Sequence, residues 1–175
     1  VLADKGLQEA RYFLVSAHRE ENVDSPDRLR DLLVCLTSVH SHFGLPVFVS
    51  THPRTRKRLE ALPGWSEPEG IIFSEPLGFH DYNRLQLSAA CCLSDSGTIA
   101  EESSILGFPA VTLRDSIERP EALDTGGIMM TGLHAEDVIA AVQVAMDSGY
   151  TRKGVSHLTP DDYLIENTSE RAVKF

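Results

Sequence analysis

The sequence predicts an α/β fold, a parallel sheet with helices on both faces, and three observations predict it. Strands of five or six residues alternate with helical segments along the chain, the mark of βαβ units with right-handed crossovers. A length of 175 residues, 42% of them apolar, suits one domain with a substantial core. The polar chemistry gathers at the carboxyl ends of the expected strands, where open α/β sheets bind their ligands.

The elements follow in order. "VLADKGLQEARYFLVSA", which starts at Val1 rather than Met, reads as a linker or helix end running into a strand at 11–17, and the chain is expected to be a fragment of a longer protein. In "RLRDLLVCLTSVHSHFG", Leu29, Leu32, Leu33, Leu36 and Val39 recur at helical spacing. Ser25 is the expected N-cap, Pro26 lies in the first turn and Gly44 is the expected stop. "PVFVST" (46–51) is the second strand and "PRTRKRLEAL" a polar helix. "GIIFSE" (70–75) is the third strand, "FHDYNRLQLSAA" a helix, "CCLSD" (91–95) the fourth strand and "GTIAEESSILG" the next helix. "PAVTLR" (109–114) and "GIMMTG" (127–132) are the fifth and sixth strands, and "AEDVIAAVQVAMDSG" is a helix of clear 3.6 period. The tail, 150–175, holds a turn at "TPDD" and a last helix.

Composition narrows the function. A formal net charge of −10 argues against a nucleic-acid surface, which needs clustered Lys and Arg. It still permits a small anionic ligand held by helix N-termini and a few arginines. No apolar run approaches the length that spans a membrane. The cysteines are Cys35, Cys91 and Cys92, an odd count without metal-ligand spacing, which points to reduced core thiols and a cytoplasmic location. No metal and no cofactor are expected.

The strand ends carry the candidate site. In "SDSGTIAEE", Ser96, Gly97 and Thr98 lie where the fourth strand turns into a helix. Gly97 permits a tight turn and a close ligand approach. The first-turn amides, backed by the helix dipole, would seat a diphosphate. Glu102, one turn further, would accept hydrogen bonds from the vicinal hydroxyls of a ribose. The ordinary alternative is a capping box between Thr98 and Glu101, which leaves Glu102 unexplained. Neither G-x-G-x-x-G nor G-x-x-x-x-G-K-[ST] is present.

His18 directly follows the first strand, a natural place for an acid, a base or a phosphate partner, or for an ordinary solvated loop histidine. Glu20 and Glu21 read as surface or helix-start charges. His52 closes the second strand, and Pro53 holds it away from helical geometry. Arg54, Arg56, Lys57 and Arg58 read as a solvated helix face, with anion steering as the alternative for one or two of them. Phe79 and Tyr82 either flank a nucleobase or belong to the core. Arg119, held extended before Pro120, would fork onto a phosphate or pair with Glu118 or Glu121, and Pro120 suits the first position of a helix.

Four segments in this order, "SAHREEN", "THPRTRKRL", "SDSGTIAEESSILGFP" and "RDSIERPEALDTGG", resemble the C-terminal half of the non-hydrolysing UDP-N-acetylglucosamine 2-epimerase family. The resemblance spans about residues 8–150, and its last two segments are its most specific. It implies a glycosyltransferase-B architecture of two Rossmann-like domains with the active site between them, residues 1–175 being the UDP-binding domain and the N-terminal domain being absent. It implies His18 beside the leaving UDP, Ser96, Gly97 and Thr98 at the diphosphate, Glu102 on the ribose, Arg119 on phosphate, and Tyr82 with Phe79 near the uracil. Arg19 and His52 match positions that bind a second, activating UDP-sugar in some bacterial members. A UDP-sugar substrate and a homodimer of the full-length enzyme are the implied partners, with no nucleic acid and no membrane. Many members read Ser-Asp-Ser-Gly-Gly, whereas Thr98 stands at the second glycine here. The wording around "HREEN" and "RDSIERPEALDTGG" is similar to the branch that makes UDP-N-acetyl-L-fucosamine for capsule or O-antigen. The implied chemistry is loss of the C2 proton with anti elimination of UDP to a 2-acetamidoglycal, then re-addition, with the proton-moving carboxylates on the absent domain. The competing readings are the donor-binding domain of a UDP-sugar glycosyltransferase and a receiver-like regulatory domain, for which Asp95 would be the phosphoacceptor.

Overall fold

A computed structural model describes residues 1–117, 120–147 and 158–174. Among them, six strands form one sheet: β1 (Phe13–Ser16), β2 (Val47–Ser50), β3 (Ile71–Ser74), β4 (Cys91–Ser94), β5 (Ala110–Thr112) and β6 (Met129–Met130). The strand order is β3-β2-β1-β4-β5-β6, and every pair is parallel. The helices are α1 (Glu20–Val23), α2 (Pro26–Phe43), α3 (Pro53–Glu60), α4 (Phe79–Ser88), α5 (Ile99–Leu106), α6 (Glu121–Asp124), α7 (Ala135–Asp147) and α8 (Thr168–Val173). Each strand is shorter than the apolar run that predicts it, because the flanking residues turn out of the sheet toward the next helix.

The central strands β1, β2, β4 and β5 are buried on both faces, so they read as continuous apolar runs, while the edge strands β3 and β6 are partly exposed. Successive residues of β1 serve opposite layers. Phe13 and Val15 join α2, α3 and α7 through Leu32, Leu36, Leu59 and Val142, while Leu14 joins α4 and α5 through Leu85, Ile99 and Ala100. Cys91 and Cys92 divide between the same two layers. The Tyr12 hydroxyl donates to the Leu85 carbonyl at 2.6 Å and ties α4 to the start of β1.

Local signals act as expected at α2 and α3. The Ser25 side chain accepts from the Arg28 amide, Pro26 opens the helix, and Gly44 ends it in the left-handed conformation. His52 is extended before Pro53. Pro120 is the residue before α6 rather than its first helical residue. The expected end of the 135–149 helix falls outside the described residues, as does Arg119. Among the described residues no helix is long and apolar enough to cross a membrane.

The strand order reverses direction between β1 and β4. The chain winds outward from β1 through β2 to β3, then returns to β4 on the other side of β1. Helices therefore diverge to opposite faces above these two strands and leave a crevice at their carboxyl ends. The segments after β1 and β4 are "AHREEN" and "DSGTIAEE".

Candidate functional site

Asp95 joins the two walls of that crevice. It is 0% exposed, and its carboxylate accepts from the backbone amides of His18 and Arg19 at 3.0 and 2.9 Å. Asn22 Nδ2 donates to the same carboxylate at 3.2 Å and to the Leu113 carbonyl at 2.9 Å. Arg19 has no side-chain cap for α1, so a carboxylate from across the sheet satisfies the start of that helix. The His18 ring, its side chain 46% exposed, has Nδ1 3.6 Å from Asp95 Oδ1.

Arg19 crosses toward β4. Its Nε donates to the Asp95 carbonyl at 3.0 Å, and its guanidinium lies so close to Gly97 that a Cβ there would stand 3.1 Å from it. Gly97 has an ordinary negative-φ backbone. It is needed here for space, not for a left-handed turn. A cation thus flanks the start of α5, where the Ile99 and Ala100 amides have no preceding helical carbonyl to bond. Ser96 Oγ accepts from the Thr98 amide at 3.3 Å and lies 3.0 Å from Thr98 Oγ1.

The capping box between Thr98 and Glu101 does not form. Thr98 is the N-cap by position, but its side chain makes no capping bond, and its hydroxyl donates to Glu102 at 2.6 Å instead. Gln86 Nε2 donates to the other oxygen of Glu102 at 2.6 Å. Tyr82, one turn before Gln86 on α4, packs against the core. Burial pushes the Tyr82 hydroxyl up, and the nearby Glu102 charge adds to that. Phe79, by contrast, is 77% exposed at the start of α4. The two aromatics therefore part company, one into the core wall and one out to solvent.

His52 caps α3, its Nδ1 accepting from the Arg54 amide at 3.2 Å, and its ring centroid lies 6.1 Å from that of His18. The basic run is held by neighbouring acids. Arg54 pairs with Glu20 and Asp24, Arg56 with Glu67, and Arg58 with Asp24. Glu21 accepts from the buried Arg114. The structure thus brings His18, Arg19, Ser96, Gly97, Thr98, Glu102 and Tyr82 to one crevice, with His52 at its edge.

Sequence reasoning passed over Asn22 and Gln86 and met Asp95 only as a phosphoacceptor. Gln86 did carry a signal: it is a polar residue on the face of α4 that Tyr82 and Leu85 turn to the core. Asn22 carried none. The receiver-like reading loses its basis, since Asp95 is fully buried and engaged by several donors.

A family model described as UDP-N-acetylglucosamine 2-epimerase matches residues 1–175. The chain belongs to that family. It is 34% identical over 139 residues to the UDP-N-acetylglucosamine 2-epimerase of Methanocaldococcus jannaschii, covering 78% of this chain and 38% of that protein. Among solved structures, the UDP-N-acetylglucosamine 2-epimerase from Rickettsia bellii superposes with a TM-score of 0.82 at 36% identity, covering 99% of this chain and 46% of that one. The M. jannaschii enzyme in complex with UDP-GlcNAc and UDP gives a TM-score of 0.79 at 31% identity, covering 93% and 44%. The chain thus spans less than half the length of the family members it matches.

Proposed function

We propose that this chain is the UDP-binding, C-terminal half of a UDP-N-acetyl-sugar 2-epimerase. The observation that carries the reading is the crevice between β1 and β4, where a helix start with spare amides, an arginine, a histidine and a fixed carboxylate converge. In this reading the diphosphate lies against Ser96, Gly97 and Thr98, with Arg119 as a further phosphate contact. Glu102 takes the ribose hydroxyls, the uracil lies near Tyr82 and the outward-turned Phe79 rather than between them, and His18 faces the leaving UDP. Arg19 and His52 serve a second UDP-sugar.

The proposed reaction breaks the C2–H and C1–O bonds. The proton passes to a base of the other domain, its electron pair forms the C1=C2 bond of a 2-acetamidoglycal, and UDP departs with the C1–O electrons. Re-addition delivers the opposite C2 configuration. This half contributes stabilisation of the departing anion, for which a preorganised donor supplies ~2.7–4 kcal/mol of barrier lowering each. The sugar is either UDP-N-acetylglucosamine, interconverted with the manno epimer, or the precursor of UDP-N-acetyl-L-fucosamine. Both serve surface polysaccharide synthesis in the cytoplasm, a location supported by the three free thiols.

Calorimetry with UDP tests the site. The chain binds UDP, and Glu102→Ala and Arg119→Ala each weaken binding by about tenfold, the worth of a charged hydrogen bond. Unchanged affinity in both variants overturns the assignment. The chain alone is expected to show no epimerase turnover, and turnover by it would refute the division of labour. Incubating a version that carries both domains with UDP-sugar alone separates epimerase from glycosyltransferase, because only the former reacts without an acceptor.

A further inference from the structure

Gln86 is a buried amide whose bonding points one way. It is 1% exposed, its Nε2 donates to Glu102 Oε2 at 2.6 Å, and its Oε1 has no hydrogen-bond partner among the described residues. Turning the amide over would set Oε1 against a carboxylate, so charge fixes the donor end toward Glu102. A half-satisfied buried amide is costly, and Leu85 and Ser88 near it on α4 are buried as well. Its one side-chain bond goes to Glu102.

Thr98 holds the other oxygen, donating to Glu102 Oε1 at 2.6 Å. Each oxygen of the carboxylate thus receives one donor from the protein and keeps a second acceptor position. The donors come from separate elements, α4 and the turn before α5, so the carboxylate plane is set before a ligand arrives. The acceptor positions left over suit two adjacent hydroxyl donors. Thr98 stands at the position where the family motif has a second glycine, which has no hydroxyl to give.

Resting on the nucleotide-binding reading above, we infer that Gln86 and Thr98 are positioning residues that clamp Glu102 in the orientation that accepts the vicinal hydroxyls of a ribose. Neither touches the sugar in this role. Both act through the carboxylate.

The test compares calorimetric affinity for UDP with that for 2′,3′-dideoxy-UDP, which keeps the uracil and diphosphate and lacks both hydroxyls. The parent protein binds UDP about tenfold more tightly than the dideoxy analogue, since a site built for hydroxyls rejects a ligand without them. Gln86→Leu and Thr98→Val bring that ratio to within about twofold of unity by weakening UDP more than the analogue. Thr98→Ser, which keeps the hydroxyl, keeps the parent ratio. A merely structural bond would lower the melting temperature and leave the ratio untouched. Thr98 is exposed, so its variants carry the test if Gln86→Leu fails to fold. A parent ratio retained in Thr98→Val and in every folded Gln86 variant overturns the clamp while leaving the UDP site standing. A parent protein that binds both nucleotides equally overturns it as well. Absence of UDP binding in the parent overturns the nucleotide reading itself.

Discussion

Asp95 lies 77 positions from His18, yet accepts from its amide. Removing that carboxylate takes the acceptor from the partly buried backbone amides of His18 and Arg19, and leaves Asn22 Nδ2 only the Leu113 carbonyl. Asp95→Ala is expected to cost roughly 3 kcal/mol, because each donor stranded from a charged acceptor costs on the order of 1–3 kcal/mol. Urea denaturation measures it, and a loss under about 1 kcal/mol would show that the two loops hold without it. The sequence marked Asp95 only as the candidate phosphoacceptor of a receiver-like domain. Its role depends on the register that sets Ser16 beside Ser94, which no local pattern contains. Glu102 was more legible, because a carboxylate one turn into a helix with a glycine-led start has a recognisable chemistry. What holds Glu102 was legible only in part, since Gln86 belongs to a different helix.

Among the elements, long helices announced themselves and single turns did not. α2 has its cap, its proline, its apolar spacing and its terminal glycine in one stretch of chain. α1 is a four-residue turn, and the amides of His18 and Arg19 just before it are held by Asp95 at the end of β4, so its cause is tertiary. Glycines sort in the same way. Gly70, before β3, has φ +77°, and an added Cβ would stand 2.1 Å from the His40 ring. That ring is fixed by a 2.9 Å hydrogen bond to the Leu45 carbonyl. Gly70→Ala is expected to destabilise by about 2 kcal/mol or more, read as a fall in melting temperature, because strain and overlap add. A change within about 0.5 kcal/mol would refute the overlap. Gly97→Ala should behave differently. Its backbone is ordinary and an added Cβ would meet only the end of the long Arg19 side chain, so stability changes by less than about 1 kcal/mol. UDP affinity nonetheless drops, because the added methyl crowds the diphosphate at the start of α5, and a variant that kept full affinity would exclude Gly97 from that seat.

For the molecule as a whole, two buried layers place all three thiols out of water. Burial pushes Cys35 up from 9.0 to about 11, and pushes Cys91 and Cys92 up as well. Above pH 9 the unfolded chain releases thiol protons that the folded protein retains, so the folded state binds more protons and unfolding is favoured as pH rises. This contribution is fully present below about pH 9 and is lost as pH climbs through 11. The urea midpoint is therefore expected to fall steadily between pH 9 and 11, with thiol reagents reacting at neutral pH only after unfolding. A flat midpoint across that range would show the thiols to be hydrated. By itself the sequence determined the fold class, the family and the strand-end segments that carry the polar chemistry, because apolar period, caps and short motifs are local and survive in one dimension. Only the tertiary structure decided that β1 and β4 lie side by side, that Asp95 and Gln86 bond the candidate residues Arg19 and Glu102, and that Tyr82 turns inward while Phe79 turns out. Those facts arise from strand order and from which helix packs on which face, and contacts between residues distant in sequence leave no periodic trace along the chain.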